Sequence, residues 1–342
     1  MITRSYGFLL AAAMLLVAGC TPPRTAAPAE IQPRALTFMA GYKPQANLPF
    51  VGAYVANDMG YFAEQGLAVD IQHSTGQGEH LKLLLQGAVD VTTADADSVL
   101  KRRAEQDLPI VAFALFGQRG SQAYAVLEDS NIRSPKDFEG KVVGYKLYQS
   151  PDYLAMLERS GADRSRIDEV SVGFDPRILV ERRVDVYPVF TSNEPDLLNR
   201  IGFPTRLFDP ADYGVATLGL TYLTRRELVE QQPDLLARFL KATLRGVAMS
   251  QSDSEAAIDI VMRYAPQEQR PHQVAMLKAE LEMAAGPVAD RLGLGWTTRE
   301  QWQALQDSLL QYGGVERSVD VDTAFTDQIL RRIYRDRTLV WP

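Results

Sequence analysis

One cysteine in 342 residues, Cys20, excludes an intrachain disulfide and any cysteine-rich metal or cluster site. Histidine is nearly as scarce. His73 and His80 flank a loop and His272 lies far along the chain, so the three compose no metal set. There is no Gly-x-Ser-x-Gly, no Walker loop and no zinc-ligand spacing, which removes the common signatures of serine hydrolases, NTPases and zinc enzymes. Internal repeats and heptads are missing, and no apolar run after the N-terminal one is long enough to cross a bilayer. Lys and Arg total 36 against 43 Asp and Glu, a net charge of −7, and the bases are scattered. That is not the basic stripe of a nucleic-acid-binding protein.

What is present begins with Arg4, an apolar run from Phe8 to Val17, and Leu16-Val-Ala-Gly-Cys20. A basic start, a short apolar stretch and small residues before a cut describe a secretory signal over residues 1–19. The ending resembles a bacterial lipobox, in which the cysteine becomes the lipidated N-terminus. Cys20 is therefore the expected lipidation site and membrane anchor, with an ordinary signal peptide as the alternative. Residues 20–34, rich in Pro and Ala, read as a flexible tether.

The stretch Leu36–Ile71 predicts one β-loop-α-β unit. Leu36–Met39 fits a buried strand, and Gly41–Asn47 a polar and aromatic loop. Pro49 suits the first turn of a helix that Gly60 ends. Leu67, Val69 and Ile71 alternate as the next strand. Ligands of open α/β sheets bind beyond the carboxyl ends of strands, which singles out Tyr42 and Asn47.

These same residues carry a resemblance. Aromatic-x-Pro-x-x-Asn, a Tyr-Val-Ala helix and Gly60-Tyr-Phe-x-x-x-Gly-Leu-x-Val-x-Ile71 resemble the opening of the NMT1/THI5-like solute-binding proteins. Gly87-Ala-Val-Asp90, Ile132–Lys141 and Pro233–Ala242 agree with it. The resemblance spans roughly Leu36 to Ile329. It implies the type II periplasmic-binding-protein fold: two doubly wound α/β lobes joined by two crossing strands, with C-terminal helices packed on lobe one.

The rest of the chain fits that alternation of strand and short helix. Gly76-x-Gly78 before a helix reads as a turn or as an anion cradle. Val89–Val91 and Ile110–Phe116 read as strands, and Asp95–Ala104 as a helix whose first residue is a candidate ligand contact. Gly120–Leu127 crosses into the second lobe. Ser134-Pro135-x-Asp137 is a helix start, followed by a strand ending at Tyr145 and a helix starting at Ser150-Pro151. Val170–Phe174 and Val184–Phe190 complete that lobe, and Leu218–Leu223 returns to the first. The expected organisation is lobe one at 35–121, lobe two at 122–217, and lobe one again at 218–342. Helices after Pro233 are expected to pack on lobe one, with Ser254 and Thr298-x-x-Gln301 as caps and Trp296 and Trp302 as core or edge residues.

A second constellation, Tyr187–Pro195, ends in Asn193 and Glu194. A carboxylate can accept two parallel N–H bonds from the N–C–N edge of an aminopyrimidine, and Tyr42, Tyr145, Tyr148 and Phe190 can wall a flat ring. The resemblance adds that pyrimidine-binding relatives carry an acid on this loop and that a flavin-binding branch shows a similar Asn-Glu-Pro. The alternative is that Glu194 caps a helix beginning at Pro195. Arg119, near the first crossing, reads either as an anion contact or as a hinge salt bridge.

The resemblance thus implies a monomeric receptor that takes a small-molecule ligand between two lobes. It would deliver that ligand to the permease and ATPase subunits of an ABC importer, with no cofactor and no nucleic acid. A thiamine-precursor pyrimidine or a riboflavin-like heterocycle is the expected ligand. An aliphatic sulfonate or nitrate, or service as the sensing partner of a signalling protein, is the alternative. Enzymatic members of the family carry a cysteine-rich iron-linked motif that this chain lacks, so catalysis is not expected.

Overall fold

The computed structural model describes residues 1–2, 33–76 and 78–342. The signal segment, Cys20 and nearly all of the tether lie outside the described residues. Among the described residues no helix is long and apolar enough to cross a membrane.

Two sheets organise residues 33–342. The first contains β1 (Arg34–Ala40), β2 (Leu67–His73), β3 (Val91–Asp95), β4 (Ile110–Leu115) and, far along the chain, β10 (Leu220–Arg225). Their order is β2-β1-β3-β10-β4, with β1 parallel to β2 and β3, and β10 antiparallel to both its neighbours. The second contains β5 (Gln122–Leu127), β6 (Val142–Tyr145), β7 (Asp168–Ser171), β8 (Tyr187–Phe190) and β9 (Thr205–Phe208). β5 lies antiparallel between β8 and β9, β6 is parallel to β7, and a parallel bridge joins Val143 to Val186. The second sheet therefore runs β7-β6-β8-β5-β9. Each sheet places its single antiparallel strand fourth, and that strand is the one formed just after the chain crosses from the other sheet.

Where the two crossing segments meet, backbone touches backbone. Gly219 N–H donates to the Gly117 carbonyl at 2.9 Å. A Cβ on Gly117 would lie 2.8 Å from the Gly219 Cα, so only glycine permits this approach. The crossing segments meet here, just ahead of the Gly120–Leu127 stretch expected to cross.

Lobe one carries the larger core. The helix Leu48–Asp58 crosses the helix Pro233–Ser252, where Gly246 sits against the Gly52 carbonyl with no room for a side chain. Phe38, Tyr222 and Phe239 interlock beneath them with ring centroids 5.3–5.7 Å apart. Trp302 is fully enclosed and its indole N–H donates to Thr297 Oγ1. Capping boxes form at Ser134–Asp137 and Thr298–Gln301.

Several boundaries differ from expectation for physical reasons. β3 runs Val91–Asp95 instead of Val89–Val91, because Thr92 is accommodated in the interior by donating its hydroxyl to the Met39 carbonyl. The strand after the Arg164–Arg166 turn is Asp168–Ser171, set by its parallel register with Val142–Tyr145. β9 was not anticipated, since Thr205-Arg-Leu-Phe208 lies at a sheet edge and lacks a continuous apolar run. Asp253, and not Ser254, caps the helix that follows, accepting from Ala256 N–H at 3.0 Å.

Candidate functional site

Three connections of the second lobe converge on one small cavity. The chain leaving β6 supplies Tyr145, Lys146 and Tyr148, the end of β8 supplies Phe190, and Phe174 follows β7. With Tyr124 from β5 these residues enclose a space of about 110 Å³. The structure thus brings Tyr145, Tyr148 and Phe190 together as the sequence suggested. Tyr148 and Phe174 remain more than half exposed.

Glu194 corrects the simplest reading of its loop. It is 4% exposed and opens the helix Glu194–Arg200. One carboxylate oxygen meets Lys146 Nζ at 2.7 Å and the other accepts Phe190 N–H at 2.8 Å. Both oxygens are therefore engaged inside the protein, each already holding one donor. Lys146 also lies 5.0–5.4 Å from the ring centroids of Phe174, Tyr187 and Phe190. Its charge is held by a carboxylate and by three aromatic faces.

Arg119 takes the salt-bridge alternative: its guanidinium meets Asp209 at 2.7 Å and also pairs with Asp212. Gly76 N–H donates to Ser74 Oγ, which supports the turn reading of the glycine loop, with Gln77 outside the described residues.

Tyr42 projects from the first-lobe loop and is half exposed. Asn47 donates to Glu280 at 2.8 Å and accepts from Gln45 at 2.6 Å, so its amide is occupied. Glu280 is the centre of a wider junction. It also accepts the Leu48 N–H at 3.0 Å and Ser192 Oγ at 3.0 Å, the latter from the second lobe. Burial raises its carboxyl above the ordinary range, against the pull of these donors.

The helix Arg270–Ala284 that bears Glu280 does more than pack on lobe one. His272 Nδ1 lies 2.7 Å from Asp196, and its Nε2 lies 3.1 Å from Asn193 Oδ1. Asn193 therefore serves this interlobe contact. His272, placed apart by its sequence position, becomes a bridge because the helix passes beside the second lobe.

The opposite flank is acidic. Asp95 ends β3, Asp97 and Lys101 follow on the helix Ala96–Gln106, and Asp152 stands on the second-lobe helix Pro151–Arg159. Lys101 bonds Asp97 at 2.7 Å and reaches Tyr148 OH at 3.3 Å. Burial opposes the Lys101 charge, yet Asp97 holds the ammonium above its usual range. Burial, then the Asp97 charge, pushes Asp95 up to about 8 and Asp152 up to about 7. Lys101, Lys146, Asp152, Glu280 and His272 were not singled out from sequence. Lys146 lies just beyond a strand and Asp152 and His272 lie at helix starts, whereas Lys101 and Glu280 sit within helices with no local signal.

Comparison with known proteins follows this geometry. The family described as NMT1/THI5 like matches residues 47–257. The formylaminopyrimidine-binding protein of Halalkalibacterium halodurans is 27% identical over 300 residues, covering 84% of this chain and 88% of its own. The riboflavin-binding protein RibY of Chloroflexus aurantiacus is 26% identical over 338 residues, covering 93% and 95%. Among solved structures, the periplasmic aliphatic sulphonate binding protein SsuA of Escherichia coli superposes with a TM-score of 0.65 at 16% identity, covering 91% and 95%. The same fold also occurs in the desulfurization enzyme DszB, at a TM-score of 0.60 and 14% identity, covering 87% and 98%. The fold is that of the type II periplasmic binding proteins.

Proposed function

Since this chain belongs to the NMT1/THI5-like family, we propose that it is an extracytoplasmic solute receptor for a flat nitrogen heterocycle of the pyrimidine or flavin kind. The observation that carries the ligand class is the cavity walled by Tyr145, Tyr148, Phe174 and Phe190. Rings of this kind offer stacking area at little cost in conformational freedom. Tyr42, from the facing lobe, closes over the ligand, while Lys146 and Glu194 hold the wall in shape.

On this reading the ligand lies between a first lobe of 35–121 and 218–342 and a second lobe of 122–217. Closure about Gly117 and Gly219 buries it. The closed monomer presents the ligand to the permease of an ABC importer, and acylated Cys20 keeps the receptor at the membrane. The relatives with assigned ligands bind formylaminopyrimidine and riboflavin, and the acyl anchor suits retention at a membrane transporter. A turnover role is not part of the proposal: the relatives that cover 84–93% of this chain are named as binding proteins, whereas a relative named as a pyrimidine phosphate synthase covers 64%. Native mass spectrometry of the purified mature chain tests it. A co-purifying or added formylaminopyrimidine or riboflavin should appear as a stoichiometric adduct, and an alkanesulfonate adduct in its place refutes the ligand class.

A further inference from the structure

The bases around the aromatic cavity are matched by acids: Lys146 by Glu194, Lys101 by Asp97, and Arg119 by Asp209 and Asp212. None of these is left to hold an anion. The acids show the opposite imbalance. Asp95 Oδ1 is closed off from solvent and takes no hydrogen bond. This holds even though Asp95 stands at the N-cap of Ala96–Gln106, where a carboxylate ordinarily accepts a backbone N–H. The charges around it are Asp97 and Lys101 on its own helix, Asp152 on Pro151–Arg159, and Glu280 on Arg270–Ala284. Lys101 is the one cation of that set and is already bonded to Asp97. A covered acceptor without a donor is destabilising, a cost sustained where a ligand supplies the donor. The aromatic wall connects to this group through Lys101, which bonds Asp97 and reaches Tyr148 OH, and Ser150 of that wall lies two residues before Asp152.

We infer that Asp95 selects the ligand, accepting an amino or ring N–H from a neutral or cationic nitrogen heterocycle, and that this acidic flank turns away sulfonates and other anions. The inference rests on the heterocycle reading above and moves the recognising carboxylate from Glu194 to the facing lobe. It carries a consequence for protons. Burial holds the empty-site carboxyl at about 8. An N–H donor favours the ionised form, so binding at pH 7 releases a proton. A carboxyl that serves only the fold would release none.

The test is calorimetric titration of the full chain at pH 7 in two buffers of different ionisation heat, with formylaminopyrimidine, riboflavin and ethanesulfonate as probes. Wild type should bind at least one heterocycle with proton release and ignore ethanesulfonate. Asp95→Asn should weaken that heterocycle by about 10- to 100-fold, as loss of a charge-assisted bond does, and abolish the proton release. Asp95→Glu should recover part of both. If wild type binds a heterocycle but releases no proton, or Asp95→Asn binds it equally well, the Asp95 assignment falls and the receptor reading stands. Binding of neither heterocycle, or tight binding of ethanesulfonate, overturns both. The proton count on wild type keeps the test decisive even if a variant fails to fold.

Discussion

Lys146 Nζ and Glu194 Oε1 stand 2.7 Å apart, though 48 residues separate them in the chain. The two side chains are 11% and 5% exposed, so the pair is almost out of solvent. It ties the connection after β6, which walls the aromatic cavity, to the helix that follows β8, the strand whose residues Pro188, Val189 and Phe190 wall it too. Each ion would be costly alone there, and removing one partner strands the other.

Glu194→Gln should therefore act on stability first. A buried charge left without its partner costs about 3–5 kcal/mol. The double variant Lys146→Met with Glu194→Leu should regain only part of that loss, because it removes the desolvation penalty of both ions but leaves the Phe190 N–H without its acceptor. Chemical denaturation of the three proteins checks it. A Glu194→Gln variant as stable as wild type would show that the pair contributes nothing.

Tyr148→Ala should do the reverse. Its ring is 55% exposed, so the melting temperature should hold while heterocycle affinity falls about tenfold, the worth of one aromatic contact and its buried area. Titration beside a thermal melt separates the two effects.

The interlobe contacts of His272 and Glu280 predict a scattering result. Adding the bound heterocycle to wild type should reduce the radius of gyration, and a hundredfold excess over Kd should stabilise the fold by about 2.7 kcal/mol. Substituting His272→Ala removes the contacts to Asp196 and Asn193 at 2.7 and 3.1 Å, and should enlarge the ligand-free particle. An unchanged scattering curve for a tight complex would contradict closure.

Asp95 and Asp152 predict a pH trend. Their folded-state carboxyls, at about 8 and about 7, lie above the unfolded value of 3.8, so the folded chain binds more protons than the unfolded one. Their contribution to stability is complete below the unfolded value and is lost as pH rises toward 8. Asp95→Asn, which cannot ionise, should thus melt above wild type at pH 8.5, by a margin that shrinks steadily as pH falls toward 3.8. A difference that stays constant across that range would refute the titration.

Cys20 predicts envelope chemistry. Wild type expressed in a bacterial host should incorporate labelled palmitate, and Cys20→Ser should not. One acyl chain binds membranes only weakly, so stable retention requires more than one. Absence of label in wild type would exclude the lipoprotein assignment.

Local chemistry made much of this fold legible in the sequence. The apolar run Leu36–Met39, the proline at the start of Leu48–Asp58, the boxes at Ser134 and Thr298, and the stripe Leu235–Val247 each depend on residues within a few positions. The same local reasoning placed Tyr145, Tyr148 and Phe190 at the carboxyl ends of strands, where they share a cavity. It could not assign partners. Asn193, Glu194 and Arg119 carry the same side chains whether they face a ligand or a neighbour. Only the packing of segments 48 to 93 residues apart gave them Lys146, His272 and Asp212. Tertiary structure also decided which carboxylate remained without a donor, because that depends on every group brought within hydrogen-bond reach and not on the order in which the chain presents them.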